Sequence, residues 1–131
     1  MIARVEVMVH VRRGDEFLVL RRSQASGGYW HSVAGGVEEG EEPEDAGRRE
    51  LREEIGLEAG ALVELAGFEY VRESWEPLAG GTCRVAAFLA DAPPGFEPEL
   101  NHEHDEHRWC TKEDALELLR WPEPREVLRP L

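Results

Sequence analysis

Cysteine is scarce in this chain, and long apolar runs are missing. The two cysteines, Cys83 and Cys110, stand far apart and outside any C-x-x-C pair, which favours two buried thiols in a reducing compartment over a disulfide. No apolar run approaches the roughly 20 residues that a membrane-spanning helix needs. The first residues, MIARVEVMVHV, alternate and contain charge, so they predict a strand and not a signal peptide. A cytoplasmic location is therefore expected.

Positive charge is also in short supply. The 131 residues include 28 acidic and 15 basic side chains, which gives a formal net charge of −13. Such a surface repels nucleic-acid phosphates and anionic lipids, so we expect neither a nucleic-acid duplex nor a membrane as partner. A small phosphorylated substrate remains compatible, because an acidic site loaded with a divalent cation presents positive charge. Solubility accounts for most of the acidic excess.

Apolar periodicity and turn residues predict strands on both sides of one clear helix. Pro43 suits a first helical turn and Gly56 suits a helix stop, so a helix is predicted over Pro43–Ile55. The other predicted elements are a half-buried strand Ile2–Val11, strands Phe17–Leu20, Tyr29–Val33, Leu62–Ser74, Thr82–Leu89 and Glu106–Cys110, a Thr111-capped helix Thr111–Leu119, and a helical turn from Pro122. This order predicts a single mixed α/β domain over residues 1–131.

The predicted helix carries three glutamates on one stripe. Glu50, Glu53 and Glu54 stand at i, i+3 and i+4, which places them within roughly 100° of one another around the helix. Carboxylates this close repel one another unless a cation lies among them, and their hard oxygens suit Mg²⁺ or Mn²⁺. Ala46 and Gly47, one turn earlier, predict open space beside such a cation. Taken alone, however, a glutamate-rich helix is more often a solvated surface helix.

A longer pattern around this helix overturns that interpretation. Nine residues between positions 35 and 57 stand at fixed spacings: Gly35, Glu41, Arg49, Glu50, Leu51, Glu53, Glu54, Gly56 and Leu57. They fill every specified position of G-x5-E-x7-R-E-U-x-E-E-x-G-U, where U is a bulky aliphatic residue. In this pattern the chain resembles the Nudix hydrolases, and a chance match at nine positions is very improbable.

The resemblance implies a fold and a set of residue roles. The fold is an α/β/α sandwich with a mixed sheet, in which a loop, the helix and a second loop cradle the metal. The implied metal ligands are Glu50, Glu54, Glu53 and the carbonyl of Ala34. Arg49 is implied to orient Glu41, Gly35 lets the loop backbone approach the helix, and Gly56 completes the motif. The implied cofactor is Mg²⁺ or Mn²⁺.

Hydrolysis of a diphosphate linkage also benefits from a base that accepts a proton from water. In many Nudix enzymes a glutamate outside the motif has this role, and Glu103 is the first candidate, with Glu106 and Glu53 as alternatives. A solvated acidic turn is nearly as good an interpretation of the two loop residues. The neighbouring His102, His104 and His107 have no partner motif for a transition-metal site, and we expect them to be ordinary exposed histidines.

The sequence says less about the substrate. Arg21 and Arg22 end a strand and can contact phosphate, and Trp30, Tyr70, Trp75 or Phe88 can stack a base, although strand aromatics more often fill a core. Residues 29–41 and 103–109 resemble the branch of the family that hydrolyses dATP or dihydroneopterin triphosphate. The expected activity is therefore hydrolysis of a (deoxy)nucleoside or pteridine triphosphate. The alternatives are nucleotide sugars or dinucleoside polyphosphates as substrates, or a non-catalytic ligand sensor, and strand edges that can support a homodimer are expected.

Overall fold

Residues 2–72 and 80–131 are described by the computed structural model, and within them lie seven strands and three helices. The strands are β1 (Ile2–Arg13), β2 (Glu16–Arg22), β3 (Trp30–His31), β4 (Val33–Gly36), β5 (Val63–Val71), β6 (Thr82–Asp91) and β7 (His104–Cys110). The helices are α1 (Pro43–Ile55), α2 (Lys112–Leu118) and α3 (Pro122–Leu128). The predicted strand end at Ser74 and the candidate Trp75 fall outside the described residues.

One mixed sheet contains all seven strands. β1 runs parallel to β6 along one edge, and β6 pairs with β5 in the antiparallel sense. Along its other edge β1 pairs with β2 only at Arg12 and Arg13, and with β4 from Glu6 to Val9. β2 continues away from β1, pairs with β3, and carries β7 on its far edge. The short strands β3 and β4 therefore fill the wedge between β1 and β2, and β4 delivers the chain into the loop before α1.

Helices cover both faces of the sheet, which confirms the predicted α/β/α arrangement. On one face, Leu51 and Ile55 of α1 join Val7 and Val9 of β1 in a buried cluster. On the other face, α2 packs near one end of the sheet and α3 near β5 and β6. Both cysteines are buried and free, as expected. Within the described residues, no helix combines the length and the apolarity needed to cross a membrane.

Gly47 packs against the sheet and does not lie beside open space as predicted. A Cβ atom at this position would lie 3.0 Å from Leu62 Cδ1 and 3.3 Å from Val9 Cγ2. Gly47 and the fully buried Ala46 therefore face the sheet and let α1 approach it closely. The prediction that these small residues leave space for a cation is wrong, because the face that they occupy is the packing face.

The prediction of a half-buried β1 is wrong for its central part. Every residue from Val7 to Val11 is buried, including His10 at 1% exposure, because α1 covers one face of the strand and α3 the other. His10 is accommodated by hydrogen bonding: its Nε2 lies 3.0 Å from the carbonyl oxygen of Pro124, and its Nδ1 lies 2.7 Å from Ser32 Oγ. The imidazole thus joins β1 to α3 and to the segment between β3 and β4.

We expect this histidine to make the fold sensitive to acid. Burial lowers the pKa of His10 from 6.5 to about 4. Between pH 6.5 and 4 this histidine is protonated in the unfolded chain but not in the folded one. The free energy of unfolding should therefore fall over this range, with roughly 3 kcal/mol of the decrease due to His10. Urea unfolding at pH 7, 5.5 and 4 should show a shallower decline for His10→Gln than for the exposed His102→Gln. Equal declines would contradict this account.

Candidate active site

Helix α1 places two of the three glutamates, Glu50 and Glu54, inside the protein. Gly56 ends α1 with φ of 72°, and its N–H reaches the carbonyls of Leu51 and Arg52, as expected of a glycine cap. Glu50 and Glu54, each taken as a whole residue, are only 8% and 1% exposed. The side chain of Glu53 is 55% exposed. The stripe is therefore not uniform, and Glu50 and Glu54 form its buried part.

Glu50 lies directly against the backbone of β4. A Cβ atom at Gly35 would stand 2.3 Å from both Cδ and Oε1 of Glu50, which is far inside normal contact. Only glycine allows this approach, and it brings the Glu50 carboxylate beside Gly35 and the carbonyl of the preceding Ala34. The close approach of loop and helix that the resemblance implies is thus present.

Arg49 ties the loop before α1 to the helix. Its Nε and Nη2 each donate to one oxygen of Glu41 at 3.0 Å, its Nη2 also donates to the Gly36 carbonyl at 2.9 Å, and its Nη1 donates to Glu50 Oε1 at 2.7 Å. The hydrogen bonds from Arg49 and from the Glu38 N–H lower the pKa of Glu41 to about 2. The Arg49–Glu41 pair implied by the resemblance is present, and the same guanidinium fixes one oxygen of Glu50.

A second group of side chains faces Glu54 from the first residue of β7 and the residue before it. One ligand atom each of Glu54, Glu103 and His104 lies within 4.8 Å of the other two. Burial, reinforced by Glu50 and then Glu103, raises the pKa of Glu54 well above its usual range. Neither oxygen of Glu54 has a hydrogen-bond partner among residues 2–72 and 80–131. A buried carboxylate in this state needs a proton or a cation, and the oxygen-rich donor set of Glu50, Glu54 and Glu103 fits a divalent cation.

The loop that carries Glu103 is anchored to the end of α1. Asn101 Nδ2 donates to the Glu53 carbonyl at 3.0 Å, and Asn101 Oδ1 accepts from the Glu103 N–H at 3.0 Å. The Ser23 N–H donates to the Glu103 carbonyl at 2.9 Å. Glu103 is thus held from two sides. Sequence reasoning missed Asn101, whose only local signal is an amide side chain two residues before the acid that it positions.

Three predicted site residues lie on the opposite face of the sheet. Arg21 pairs with Asp105 at 2.9 Å and with Glu106 at 3.6 Å, Glu106 pairs with Arg108 at 3.2 Å, and Arg108 lies over the Trp30 ring at 4.8 Å. Strand alternation explains this placement, because Arg108 and Glu106 share the face of Cys110, which α2 covers. Glu106, Arg21 and Trp30 are thus separated from the three carboxylates by the sheet, and their roles stay predictions.

Arg22, in contrast, lies on the side of the carboxylates. Its positive charge opposes the rise in the pKa of Glu54 and contributes to the lowered pKa of His104. It follows Arg21 in β2 and therefore points to the other face, and a register shift between the two residues pairs Arg22 with His104. Of the two predicted arginines, Arg22 is the one whose charge acts on Glu54 and His104.

The expectation of three exposed histidines is wrong for one of them. His102 is exposed and His107 partly so, with its Nε2 3.8 Å from Glu97. The side chain of His104 has no exposed surface and its Nε2 lies 3.8 Å from Glu54 Oε1. Burial lowers the pKa of His104 to about 4, with Arg22 adding to the effect, so the ring is neutral near pH 7.

A cavity of about 390 Å³ opens on the face of the sheet that α3 covers. Tyr29 and Trp121 contribute aromatic walls, with ring centroids 5.8 Å apart. Tyr70 Oη donates to Glu6 Oε1 at 2.6 Å in its polar part. Ala34 also lines the cavity. The lining of the cavity therefore includes the residue immediately before Gly35, which Glu50 approaches closely. Of the aromatics proposed for base stacking, Tyr70 lines this cavity, whereas Phe88 is buried in the core on the α1 face.

Comparison with known proteins agrees with this geometry. A family model for the NUDIX domain matches residues 3–131. The chain belongs to the Nudix hydrolase family. The matched residues include the whole of the pattern from Gly35 to Leu57.

Similar Nudix sequences carry different activities. An asymmetrical bis(5'-nucleosyl)-tetraphosphatase of Sus scrofa is 34% identical over 119 residues, covering 87% of this chain and 76% of the relative. A CTP pyrophosphohydrolase of Escherichia coli is 34% identical over 117 residues, covering 86% and 80%. An octanoyltransferase of Myxococcus xanthus is 34% identical over 127 residues, and the chain spans only 35% of its length.

Solved structures repeat the fold. The E. coli dihydroneopterin triphosphate pyrophosphohydrolase superposes with a TM-score of 0.84 at 22% identity and covers 100% of this chain and 97% of its own. A C. elegans Ap4A hydrolase superposes with a TM-score of 0.80 at 26% identity, covering 97% and 93%. The first likeness, at this identity, concerns the fold alone.

Proposed function

We propose that this Nudix protein is a divalent-cation-dependent pyrophosphohydrolase that cleaves a diphosphate linkage, with a (deoxy)nucleoside or pteridine triphosphate as its substrate. The observation that carries the proposal is the pair of buried carboxylates, Glu50 and Glu54, with Glu103 beside Glu54. Burying acidic groups in the absence of a cation is unfavourable. A function that needs their charge is the simplest reason for their presence.

Each residue of the site then has a definable task. A divalent cation, Mg²⁺ or Mn²⁺, supplies positive charge to the phosphates of the substrate. Glu50 and Glu54 hold it, Glu53 at the exposed edge can add a further ligand, and the Ala34 carbonyl lies beside Glu50. Arg49 keeps the Glu50 carboxylate in place through its 2.7 Å hydrogen bond. Glu103, fixed through its backbone, accepts the proton of the attacking water.

The triphosphate substrate is supported by the cavity on the α3 face. Its volume, about 390 Å³, lies within the range of small-ligand sites. Tyr29 and Trp121 line it with aromatic rings that can contact a planar ring, and Ala34, another lining residue, immediately precedes Gly35, against which Glu50 lies. Arg22 lies on the carboxylate side of the sheet, where a phosphate chain would extend. The resemblance of residues 29–41 to the triphosphate-hydrolysing branch points the same way.

A dinucleoside polyphosphate is the second candidate. It is supported by the 34% identity with the tetraphosphatase of Sus scrofa, over 76% of that relative. A pure ligand sensor is disfavoured, because binding alone gives no reason to bury Glu54 with both oxygens unpartnered among the described residues.

A product-resolved substrate screen tests the proposal. The chain is incubated with Mg²⁺ or Mn²⁺ and with nucleoside triphosphates, dihydroneopterin triphosphate, dinucleoside tetraphosphates or nucleotide sugars, and products are separated by ion exchange. We expect pyrophosphate and a monophosphate from a triphosphate. A nucleoside triphosphate released from a tetraphosphate would favour the second candidate, and no cation-dependent product from any substrate would refute the hydrolase.

A matched pair of variants tests the base. Glu103→Gln should lower kcat about 10²-fold with little change in KM, because it removes the proton acceptor and preserves the shape of the side chain. Glu106→Gln, three residues further along the chain and on the opposite face, should stay within about twofold of wild type. If Glu106→Gln shows the loss and Glu103→Gln does not, the assignment of the base is wrong.

A further inference from the structure

His104 is the one histidine of H-x-H-x-x-H whose side chain is completely buried. It is the first residue of β7, is paired with Arg22 of β2, and packs beside Glu54. Its neighbours His102 and Asp105 are exposed. The burial is therefore specific to this imidazole and is not a property of the whole segment.

The polar atoms of this imidazole have no partners within the described part of the chain. Six buried side-chain nitrogen and oxygen atoms lack a hydrogen-bond partner there, and four of them belong to His104 and Glu54. Buried polar atoms are nearly always satisfied in proteins, and each exception calls for a physical explanation. Two adjacent side chains whose polar atoms are all unpaired within that part of the chain are free to bind one shared ligand.

A direct bond between the two side chains does not supply that explanation. His104 Nε2 and Glu54 Oε1 are 3.8 Å apart, which is beyond hydrogen-bonding distance. A histidine ring can instead offer the lone pair of one nitrogen, and that lone pair is a metal donor.

The separation suits a shared cation. One atom from each of Glu54, Glu103 and His104 lies within 4.8 Å of the others. Donor atoms at roughly 2.1 to 2.2 Å from a common ion lie at most about 4.4 Å apart, so a small closing movement around the ion is sufficient. The half-buried Glu103, fixed by Asn101 and Ser23, supplies the third donor with one carboxylate oxygen, and its second oxygen is left to accept the proton of the attacking water.

We propose that His104 is a nitrogen ligand of a divalent cation held together with Glu54 and Glu103, and that it biases this site towards Mn²⁺ and similar transition ions over Mg²⁺. The inference rests on the proposed function only in that it concerns a cation at the same site. Carboxylate and water oxygens serve Mg²⁺ well, whereas imidazole nitrogen favours transition ions. An all-carboxylate site would lack this preference.

Binding measurements without substrate test the proposal. The full chain, labelled with ¹⁵N-histidine, is loaded with Mn²⁺, and the electron spin-echo modulation is recorded. We expect a ¹⁵N coupling in the wild type and in His107→Gln, the control on the same strand, and its loss in His104→Gln. The Kd for Mn²⁺ should rise at least about tenfold in His104→Gln, while the Kd for Mg²⁺ changes less than about threefold.

The outcomes separate His104 from the hydrolase as a whole. Absence of histidine coupling in the Mn²⁺-loaded wild type would overturn the proposal, whether or not the variant folds. Equal weakening of Mn²⁺ and Mg²⁺ binding in a folded His104→Gln would reduce His104 to a packing role beside Glu54. Neither result depends on turnover, so either can occur in an active pyrophosphohydrolase.

Discussion

Glu54→Gln is expected to lower kcat/KM by about 10³-fold. The substitution keeps the size of the side chain and removes the charge that a divalent cation requires, and such a cation contributes several kcal/mol to catalysis at phosphorus. In EDTA at pH 8 the variant should be at least as stable as the wild type, because burial already raises the pKa of Glu54 and a neutral amide avoids the cost of that buried charge. Steady-state kinetics and thermal unfolding of the same samples give both results.

The remaining glutamates of this region provide a graded comparison. Glu53→Gln should cost less, because its side chain is 55% exposed and solvent weakens its interaction with a cation. Glu58→Gln, exposed beyond the end of α1, should behave as wild type. A Glu54 variant within tenfold of wild type, or a loss as large at Glu58, would show that the buried carboxylate is not central to the reaction.

The helix of the site could be predicted from the sequence to the residue, because its limits are set locally. Pro43 can occupy a first turn but not a helix interior, and Gly56 readily adopts the positive φ that ends the helix. Other bounds agree or moved by one to three residues, whereas the predicted strand Tyr29–Val33 is replaced by two short strands, β3 and β4. The strands predicted at Phe17–Leu20 and Glu106–Cys110 each proved longer, because cross-strand hydrogen bonds extend into residues whose own preferences do not favour a strand.

The burial of the glutamates was not predictable from helical spacing. A stripe about 100° wide contains Glu50, Glu53 and Glu54 alike. Which of them faces inward depends on how α1 is rotated against the sheet. That rotation depends on the packing of Ala46, Leu51 and Ile55 against the sheet and on the close approach at Gly47. The sequence does not show which side chains of the sheet these residues meet.

The sequence also did not show which side chains of β2 and β7 point to which face of the sheet, because this depends on how the two strands pair. Arg21 and Arg22 are equivalent candidates in sequence, yet strand alternation sends them to opposite faces. A register shift between them then places Arg22 against His104. His104 is buried three residues after Asn101, whose side chain donates a hydrogen bond to the Glu53 carbonyl, 48 residues earlier in the chain. No local sequence pattern reveals a contact of that separation.

The second large effect is expected for Gly35→Ala. Its Cβ would stand 2.3 Å from the Glu50 carboxylate carbon, and relief to a normal contact requires a displacement of roughly 1 Å or more. Glu50 cannot move freely, because Arg49 holds its Oε1 at 2.7 Å and the residue is only 8% exposed. We expect kcat/KM to fall about 10³-fold, since the cation loses a correctly placed ligand, with a loss of stability of about 1–3 kcal/mol from overpacking.

Gly60→Ala is the matched control for this change. A Cβ at Gly60 would meet nothing within 4 Å, so activity should stay within about twofold of wild type and stability should not fall. The decisive quantity is the ratio of lost activity to lost stability. A Gly35→Ala protein that is folded at the assay temperature and hydrolyses substrate at a rate close to wild type would show that the position of Glu50 beside β4 is not required. Loss of activity only in proportion to unfolding would assign Gly35 to the fold instead of to the cation site.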